Sequence, residues 1–287
     1  MEQRLVFPGC LILTHFQAYE LSAKAVMSRL GVELLDLDEF SCCGSSIVPS
    51  FSDQWVNLPA YNLALAEARG LDIITLCGSC TRMLKQAQQR LAGDAELRSA
   101  VNAKLAELGM GLSYQGTVKV NHIIEVLSGK IKELEDSVGG RLDIRVALSH
   151  PCNVYRPGSI ARFDEPWEPK KMREIVAKTG ATVVDYDMEY ECCGSTLLMS
   201  DEPAALEAAR AKLGSALAAG AQFLIVSCGN CYLLLQGMQD KVRQAHPEIS
   251  LPLIFLPQLL GLSFGMSEEE LGLRKGFMSA GITTKQE

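Results

Sequence analysis

The chain has 287 residues, 48% of them hydrophobic and 21% charged, which suffices for one large domain or two lobes of about 140 residues each. Its net charge of −7, without a basic stripe carrying interleaved aromatic residues, argues against a nucleic-acid-binding surface. No signal-peptide pattern opens the sequence, and no apolar run reaches the roughly 20 residues of a membrane helix. We therefore expect a cytoplasmic protein without a membrane span.

The first half predicts a strand–helix alternation in which each strand leads to cysteine. Its predicted elements are a strand at 4–8, a helix to residue 30, a strand at 32–37, a helix at 58–69, a strand at 72–76 and a helix at 79–90. A capping box of Thr14 and Gln17 would begin the first helix, and Gly31 would end it. One cysteine, an adjacent pair and a C-x-x-C follow the three strands in turn: Cys10, Cys42, Cys43, Cys77 and Cys80.

The second half repeats this order after a charged linker at 129–142. Its predicted elements are strands at 143–148, 181–186 and 223–227, helices at 203–219 and 230–243, and a C-terminal helix beginning at 266–270. Its cysteines are Cys152, Cys192, Cys193, Cys228 and Cys231, and no cysteine lies outside the two sets. The gap between the pair and the C-x-x-C is 33 residues in one copy and 34 in the other. This duplication predicts two similar lobes, 1–140 and 141–287.

The alternation predicts an α/β fold with a small parallel sheet in each lobe, flanked by helices. In such sheets the cysteines would gather at the carboxyl ends of the strands. Adjacent cysteines reach one site only from a turn, which Gly44 and Gly194 permit. Each C-x-x-C opens a helix, whose amide groups favour an anionic centre.

Five thiols per lobe indicate metal or redox chemistry, because a reducing compartment disfavours a disulfide framework. Thiolates suit zinc, copper(I) and iron–sulfur clusters. A structural zinc takes four ligands and so does an ordinary cubane cluster, which leaves one cysteine over in each lobe. Zinc knuckles or thioredoxin-like dithiols at the C-x-x-C pairs stay open, as does zinc in one half with a cluster in the other.

The duplicated motif resembles the CCG, or cysteine-rich, domain as it occurs in the B subunit of heterodisulfide reductase, over about residues 4–265. The resemblance implies a noncubane [4Fe–4S] cluster in each lobe, with that lobe's five cysteines as ligands. The two clusters would face one another across a pseudo-twofold cleft where a disulfide is cleaved.

The resemblance also implies two partner proteins. One is a ferredoxin-like iron–sulfur protein, corresponding to the C subunit of that enzyme, and the other is a flavoprotein, corresponding to its A subunit. The sequence agrees with a need for partners, because it has no G-x-G-x-x-G, P-loop or ferredoxin cysteine run.

Two clusters beside one disulfide could each supply one electron, so the resemblance implies a catalytic subunit that reduces or forms a disulfide. One alternative is an electron-transfer component of a quinone-linked lactate, glycolate, glycerol-3-phosphate or succinate oxidoreductase. Another is a metal-stabilised assembly module without enzymatic activity.

Four further side chains are candidates for the chemistry. His15 and His150 lie close to cluster cysteines in sequence and are candidate proton donors. Arg82 and Arg156 are candidates for contacts to a substrate carboxylate or to cluster charge. The alternatives are polar residues at loop–helix junctions and solvated surface arginines, and we expect His122 to be structural.

Overall fold

Two four-stranded sheets, both entirely parallel, form the centre of the protein, whose computed structural model describes residues 1–45 and 53–277. The first lobe contains β1 (Glu2–Phe7), α1 (Cys10–His15), α2 (Gln17–Arg29), β2 (Val32–Leu35), α3 (Asn57–Arg69), β3 (Ile73–Thr75), α4 (Gly78–Gly93), α5 (Ala95–Glu107), β4 (Val120–His122), α6 (Ile123–Ser128) and α7 (Ile131–Ser137). Short 3-10 turns lie at Asp53–Val56 and, in the second lobe, at Ser195–Leu197.

The second lobe repeats the arrangement. It contains β5 (Arg145–Ser149), α8 (Cys152–Tyr155), α9 (Gly158–Ala161), α10 (Lys171–Ala177), β6 (Thr182–Val183), α11 (Glu202–Ala218), β7 (Phe223–Val226), α12 (Gly229–Tyr232), α13 (Gln239–Ala245), β8 (Leu253–Phe255) and α14 (Leu256–Ser263). The strand orders are β2-β1-β3-β4 and β6-β5-β7-β8. The predicted fold class, two α/β lobes with small parallel sheets flanked by helices, is confirmed.

The central strands of both sheets are short apolar runs covered on both faces, as parallel sheets require. All four residues of β7 are buried, and β1 is buried from Leu5 onwards. In register, Leu5 pairs with Ile73 and Val146 with Phe223. Because all strands of a lobe run the same way, the cysteines that follow β1, β2 and β3 lie at one edge of the sheet.

The helix that ends each sequence repeat packs against the other lobe. α14 ends the second repeat but packs against α2 of the first lobe, and α6 ends the first repeat but packs against α10 of the second. Buried apolar residues of both lobes form one continuous core. The domain boundary at residue 140 therefore stays a prediction, which rests on the sequence repeat. The hydrophobic core includes residues of both lobes.

Two predicted helix starts are wrong. α1 already begins at Cys10, and the Thr14 hydroxyl donates to the Cys10 carbonyl at 2.7 Å instead of capping a new helix. Phe16 is the N-cap of α2 and has no side-chain cap bond, because its ring carries no polar atom. Gln17 donates back to the Leu13 carbonyl. Residues 266–270 form turns instead of a helix.

The other differences are local. The predicted linker at 129–142 contains the helix α7. The helix after the second C-x-x-C is interrupted by a π-helical stretch, Leu233–Gly237, between α12 and α13. Strand β6 covers only two of the six predicted residues.

Within the described ranges, every helix is too short or too polar to cross a membrane.

Candidate cysteine-rich site

The ends of the central strands deliver the cysteines of both lobes to equivalent places. Cys10 and Cys152 are the first residues of α1 and α8, directly after β1 and β5. Cys77 and Cys228 are the extended N-cap residues of α4 and α12, after β3 and β7. The helix amides that follow each N-cap have no partners within the helix and favour an anionic centre.

Nine of the ten cysteines form one unbroken line of neighbouring thiols. The Sγ atoms of Cys77 and Cys228 lie 3.9 Å apart across the lobes, and those of Cys152 and Cys192 lie 3.9 Å apart within the second lobe. Side-chain interactions between neighbouring thiols complete the line, whose order is Cys42, Cys43, Cys80, Cys77, Cys228, Cys231, Cys193, Cys192 and Cys152. Cys10 interacts electrostatically with Cys42 at one end.

The line is buried in its middle and open at its ends. The second cysteine of each pair and both C-x-x-C pairs are buried, whereas Cys10, Cys42 and Cys192 are exposed and Cys152 is half-buried. A cavity of about 540 Å³ lies beside Cys10 and Cys42. A ligand from solvent can therefore approach the two outer sulfurs of each lobe, while the inner three are screened from water.

Glycine forms the turn that follows each cysteine pair, as predicted. Gly44 has φ +81° and Gly194 has φ +91°, and their amides donate to the Sγ atoms of Cys42 and Cys192. A Cβ at Gly194 would lie 2.8 Å from the Cβ of Ala208, so this position also lacks space for a side chain. The turn therefore depends on glycine both for its backbone conformation and for its packing.

The thiols cannot all be ionised together without a cation between them. The hydrogen bond from Cys42 lowers the pKa of Cys43 to about 3, while the pKa of Cys42 itself is raised. The hydrogen bond from Cys152 lowers the pKa of Cys192 to about 2, while the pKa of Cys152 is raised. Neighbouring thiolates repel one another, so a cationic group is needed to hold all five of a lobe in the ionised form.

The donor set of each lobe, five free thiols, fits an iron–sulfur cluster. Within residues 1–45 and 53–277, no three His, Cys, Asp or Glu side chains are arranged around one point to hold a metal ion. The thiols of each lobe are instead spread along a line. A cluster of several irons takes its thiolates at separate iron atoms, so its ligands need not converge on one point.

The lobes approach each other closely at the two C-x-x-C turns. A Cβ at Gly78 would lie 3.4 to 3.5 Å from Pro151, Asn153 and Val154 of the second lobe. A Cβ at Gly229 would lie equally near α1 of the first lobe. This reciprocity is what a pseudo-twofold relation between the lobes produces.

Hydrogen bonds reinforce this contact. Ser79 Oγ accepts bonds from the side-chain amides of both Asn153 and Asn230, and Tyr19 Oη lies 2.9 Å from Ser227 Oγ across the lobes. These residues could not be identified from the sequence, because their role depends on which surfaces of the two lobes meet.

Two buried polar side chains fix the cysteine-pair turns. In the first lobe Asn62 accepts from the Ser41 amide at 2.8 Å and donates to the Cys42 carbonyl at 3.3 Å. In the second lobe Lys212 Nζ donates to the carbonyls of Met188, Glu189 and Glu191. Neither residue is marked by a motif in the sequence, although each lies 20 residues after the first cysteine of its pair.

His150 lies in a buried network beside the second cysteine set. Its Nε2 is 3.1 Å from Glu189 Oε1, and Arg173 binds the other oxygen of that carboxylate at 2.7 Å. The ring stacks on Tyr190, and burial lowers the pKa of the imidazole. Its Nδ1 is buried and has no hydrogen-bond partner among the described residues.

The other three candidate side chains make contacts outside the line of thiols. His15 Nδ1 lies 2.6 Å from Thr14 Oγ1, and its side chain borders a different cavity from the one beside Cys10. Arg82 is exposed and donates to Asn153 across the lobes. Arg156 donates to the Tyr190 carbonyl at 2.8 Å, and its guanidinium lies 5.0 Å from the Trp167 ring.

Comparison with known proteins places these features in a family. The sequence profile of the cysteine-rich domain family called CCG matches residues 5–85 and 146–236. The B subunit of the "Ferredoxin/F(420)H(2)-dependent CoB-CoM heterodisulfide reductase" of Methanosarcina acetivorans is 32% identical over 96% of this chain and 93% of its own. The "8-methylmenaquinol:fumarate reductase membrane anchor subunit" of Wolinella succinogenes is 30% identical over 96% of both chains.

One solved structure has the same fold. A hypothetical protein from Helicobacter pylori superposes with a TM-score of 0.78 at 19% identity, over 94% of this chain and 51% of that chain. At this identity the likeness supports the two-lobed α/β fold alone.

Proposed function

Since this chain belongs to the cysteine-rich CCG domain family, as a protein similar to the B subunit of heterodisulfide reductase, we propose that it is the catalytic iron–sulfur component of a disulfide-reducing complex. In reverse, the same protein would form a disulfide. The contact between Cys77 and Cys228 carries this proposal, because it joins the cysteine sets of the two lobes in one line of sulfur atoms.

Each lobe would hold one [4Fe–4S] cluster of the noncubane type. The ligands of the first would be Cys10, Cys42, Cys43, Cys77 and Cys80, and those of the second Cys152, Cys192, Cys193, Cys228 and Cys231. Each lobe contributes five free thiols, three of them buried, and this donor set supports the assignment. Zinc in one of the two sites is the alternative to be tested.

When bound, the clusters would supply single electrons, whereas cleavage of a disulfide to two thiols takes two electrons and two protons. The exposed Cys10, Cys42 and Cys192 leave the outer edge of each site open to a substrate disulfide. The buried C-x-x-C cysteines exclude water between the sites. The close approach of Gly78 and Gly229 to the opposite lobe fixes the distance between the two sites.

His150 and His15 stay proposed proton donors, and Arg82 and Arg156 proposed contacts to substrate or cluster charge. His150 lies in the buried network beside the second cysteine set, and its Nδ1 has no hydrogen-bond partner in the described part of the chain. Glu189 orients the ring through the opposite nitrogen.

Electrons would enter from partner proteins of the same complex. The proposed partners are a ferredoxin-like iron–sulfur protein and a flavoprotein, because the sequence carries no nucleotide- or flavin-binding fingerprint. We propose a cytoplasmic location for this complex.

Metal analysis of protein purified without oxygen tests the assignment. We expect about eight irons and eight sulfides per chain, from one four-iron cluster in each lobe. Four irons with one zinc would contradict the two-cluster assignment and identify a mixed site.

A second function is favoured by the Wolinella relative, which is a subunit of an 8-methylmenaquinol:fumarate reductase. In that case the clusters would pass electrons to or from a quinone pool. The partner complex distinguishes the two functions: quinol-dependent reduction of the bound clusters by purified complex supports the alternative, and disulfide-dependent oxidation without quinone supports the first.

A further inference from the structure

The side chain of Lys212 is fully buried and ends beside the second cysteine set. Its Nζ donates to three backbone carbonyls, those of Met188 at 2.7 Å, Glu189 at 3.1 Å and Glu191 at 2.9 Å. These residues form the segment that leads directly into Cys192 and Cys193. Lys212 therefore ties α11 to the turn that presents the cysteine pair.

The geometry specifies the charged form of this lysine. An ammonium group has three N–H donors, whereas a neutral amine has two, and three acceptors surround Nζ. Burial lowers the pKa of Lys212, and the negative charges of Cys231, Cys193 and Cys192 act against that shift. The Tyr186 ring, 5.6 Å from Nζ, also favours a cation.

The first lobe uses a neutral residue at the equivalent place. Asn62 is also fully buried, also lies on the helix that follows the cysteine pair, and also bonds the backbone at its turn. Residues 46–52, which follow the first turn, include no lysine or arginine. Lys212 therefore places a positive charge at the second turn, whereas Asn62 of the first lobe is neutral.

We propose that Lys212 is a positioning residue whose charge makes the two redox centres unequal, with the second at the higher reduction potential. This inference rests on the proposed function, because it assumes a cluster in each lobe. Reduction adds negative charge to a cluster, so a buried cation nearby stabilises the reduced form. Asn62 bonds the backbone at the first turn without adding a charge.

The test is a potentiometric titration of the loaded protein, followed by electron paramagnetic resonance. Cys10→Ser and Cys152→Ser assign the signals to the first and second lobes. We expect the second centre of the unmodified protein to be reduced first. In Lys212→Met the ratio of reduced to oxidised second centre, measured at a fixed potential, should fall about tenfold. This corresponds to a reduction potential of the second centre that is lower by about 59 mV for a one-electron couple.

Lys212→Arg is the matched control, because it keeps the charge at similar length. It should leave the order of reduction unchanged, and the first centre should keep its potential in both variants. Equal potentials in the unmodified protein, or a Lys212→Met shift that is absent or equal at both centres, would overturn the inference. If Lys212→Met does not retain its second centre, the unmodified and Lys212→Arg proteins test the inference. Reduction of the second centre first in both proteins supports it, and any other order contradicts it.

Failure of the proposed function is a different result. Unmodified protein without two iron-dependent signals would contradict the two-cluster assignment, before Lys212 is tested at all.

Discussion

The Sγ atoms of Cys77 and Cys228 lie 3.9 Å apart, although 151 residues separate them in the chain. Each residue is the N-cap of the helix that follows the central strand β3 or β7 of its lobe. Both side chains are buried. The two cysteine sets therefore meet at one point, which is where exchange of electrons between the lobes would be shortest.

Replacing the second cysteine of each pair should damage one site at a time. Cys43→Ser and Cys193→Ser each remove a sulfur that neighbours only cysteines of its own lobe. We expect loss of that lobe's cluster signal and of disulfide turnover, with the other signal kept, as measured by iron content and paramagnetic resonance. Cys77→Ser is the contrast, since it removes a sulfur in contact with the second lobe and should disturb both signals.

Loss of both signals from a folded Cys43→Ser or Cys193→Ser protein would show that the lobes share ligands beyond this contact.

Gly194→Ala should destabilise the second cysteine turn. The left-handed backbone alone costs about 1–2 kcal/mol for a residue with a side chain, and the new Cβ would lie 2.8 Å from that of Ala208. We expect a lower midpoint of chemical unfolding and less iron bound by the second lobe. Gly31→Ala is the control, because Gly31 has φ +79° but no atom within 4 Å of the added Cβ.

If Gly194→Ala and Gly31→Ala unfold at the same denaturant concentration and both bind the full amount of iron, the contact between residue 194 and Ala208 does not limit the stability of this turn.

Acid should destabilise the protein in part through His122. This residue is the N-cap of α6, where its Nδ1 accepts the Ile124 amide, and burial lowers its pKa from 6.5 to about 3. The unfolded chain therefore binds a proton that the folded chain excludes, and the free energy of unfolding should fall between pH 6.5 and about 3. The contribution of one proton is at most about 1.4 kcal/mol per pH unit.

His122→Asn keeps a capping side chain and removes the titration. Its unfolding free energy should depend less steeply on pH than that of the unmodified protein, measured by denaturant titration between pH 6.5 and 5. Identical slopes for the two proteins would contradict the assignment to His122.

Much of the fold could be predicted because its strands are short apolar runs that end at cysteines. β1, β3 and β7 lie within the predicted ranges or within two residues of them. The exchange of α6 and α14 between the lobes could not be predicted, since it depends on which buried faces match in three dimensions. The predicted capping box at Thr14 does not form, because α1 begins earlier, at Cys10, and the Thr14 hydroxyl donates to the Cys10 carbonyl within that helix.

The candidate site, like the fold, could be predicted from the sequence only in part. The grouping of the cysteines follows from parallel strands, and the turns follow from Gly44 and Gly194. Lys212 could not be recognised, because a lysine on an alanine-rich helix has the sequence appearance of a surface residue. Its burial becomes apparent only when the three carbonyls around Nζ are seen.

Thiol release in a single turnover tests the central claim most directly. Fully loaded protein is reduced without oxygen by a chemical one-electron donor, freed of that donor, and mixed with a low-molecular-weight disulfide. Two centres that each give one electron should release about two thiols per chain, and NADH in place of the donor should release none. Reduced protein with its full iron content that releases no thiol, or turnover sustained by NADH alone, would contradict the account.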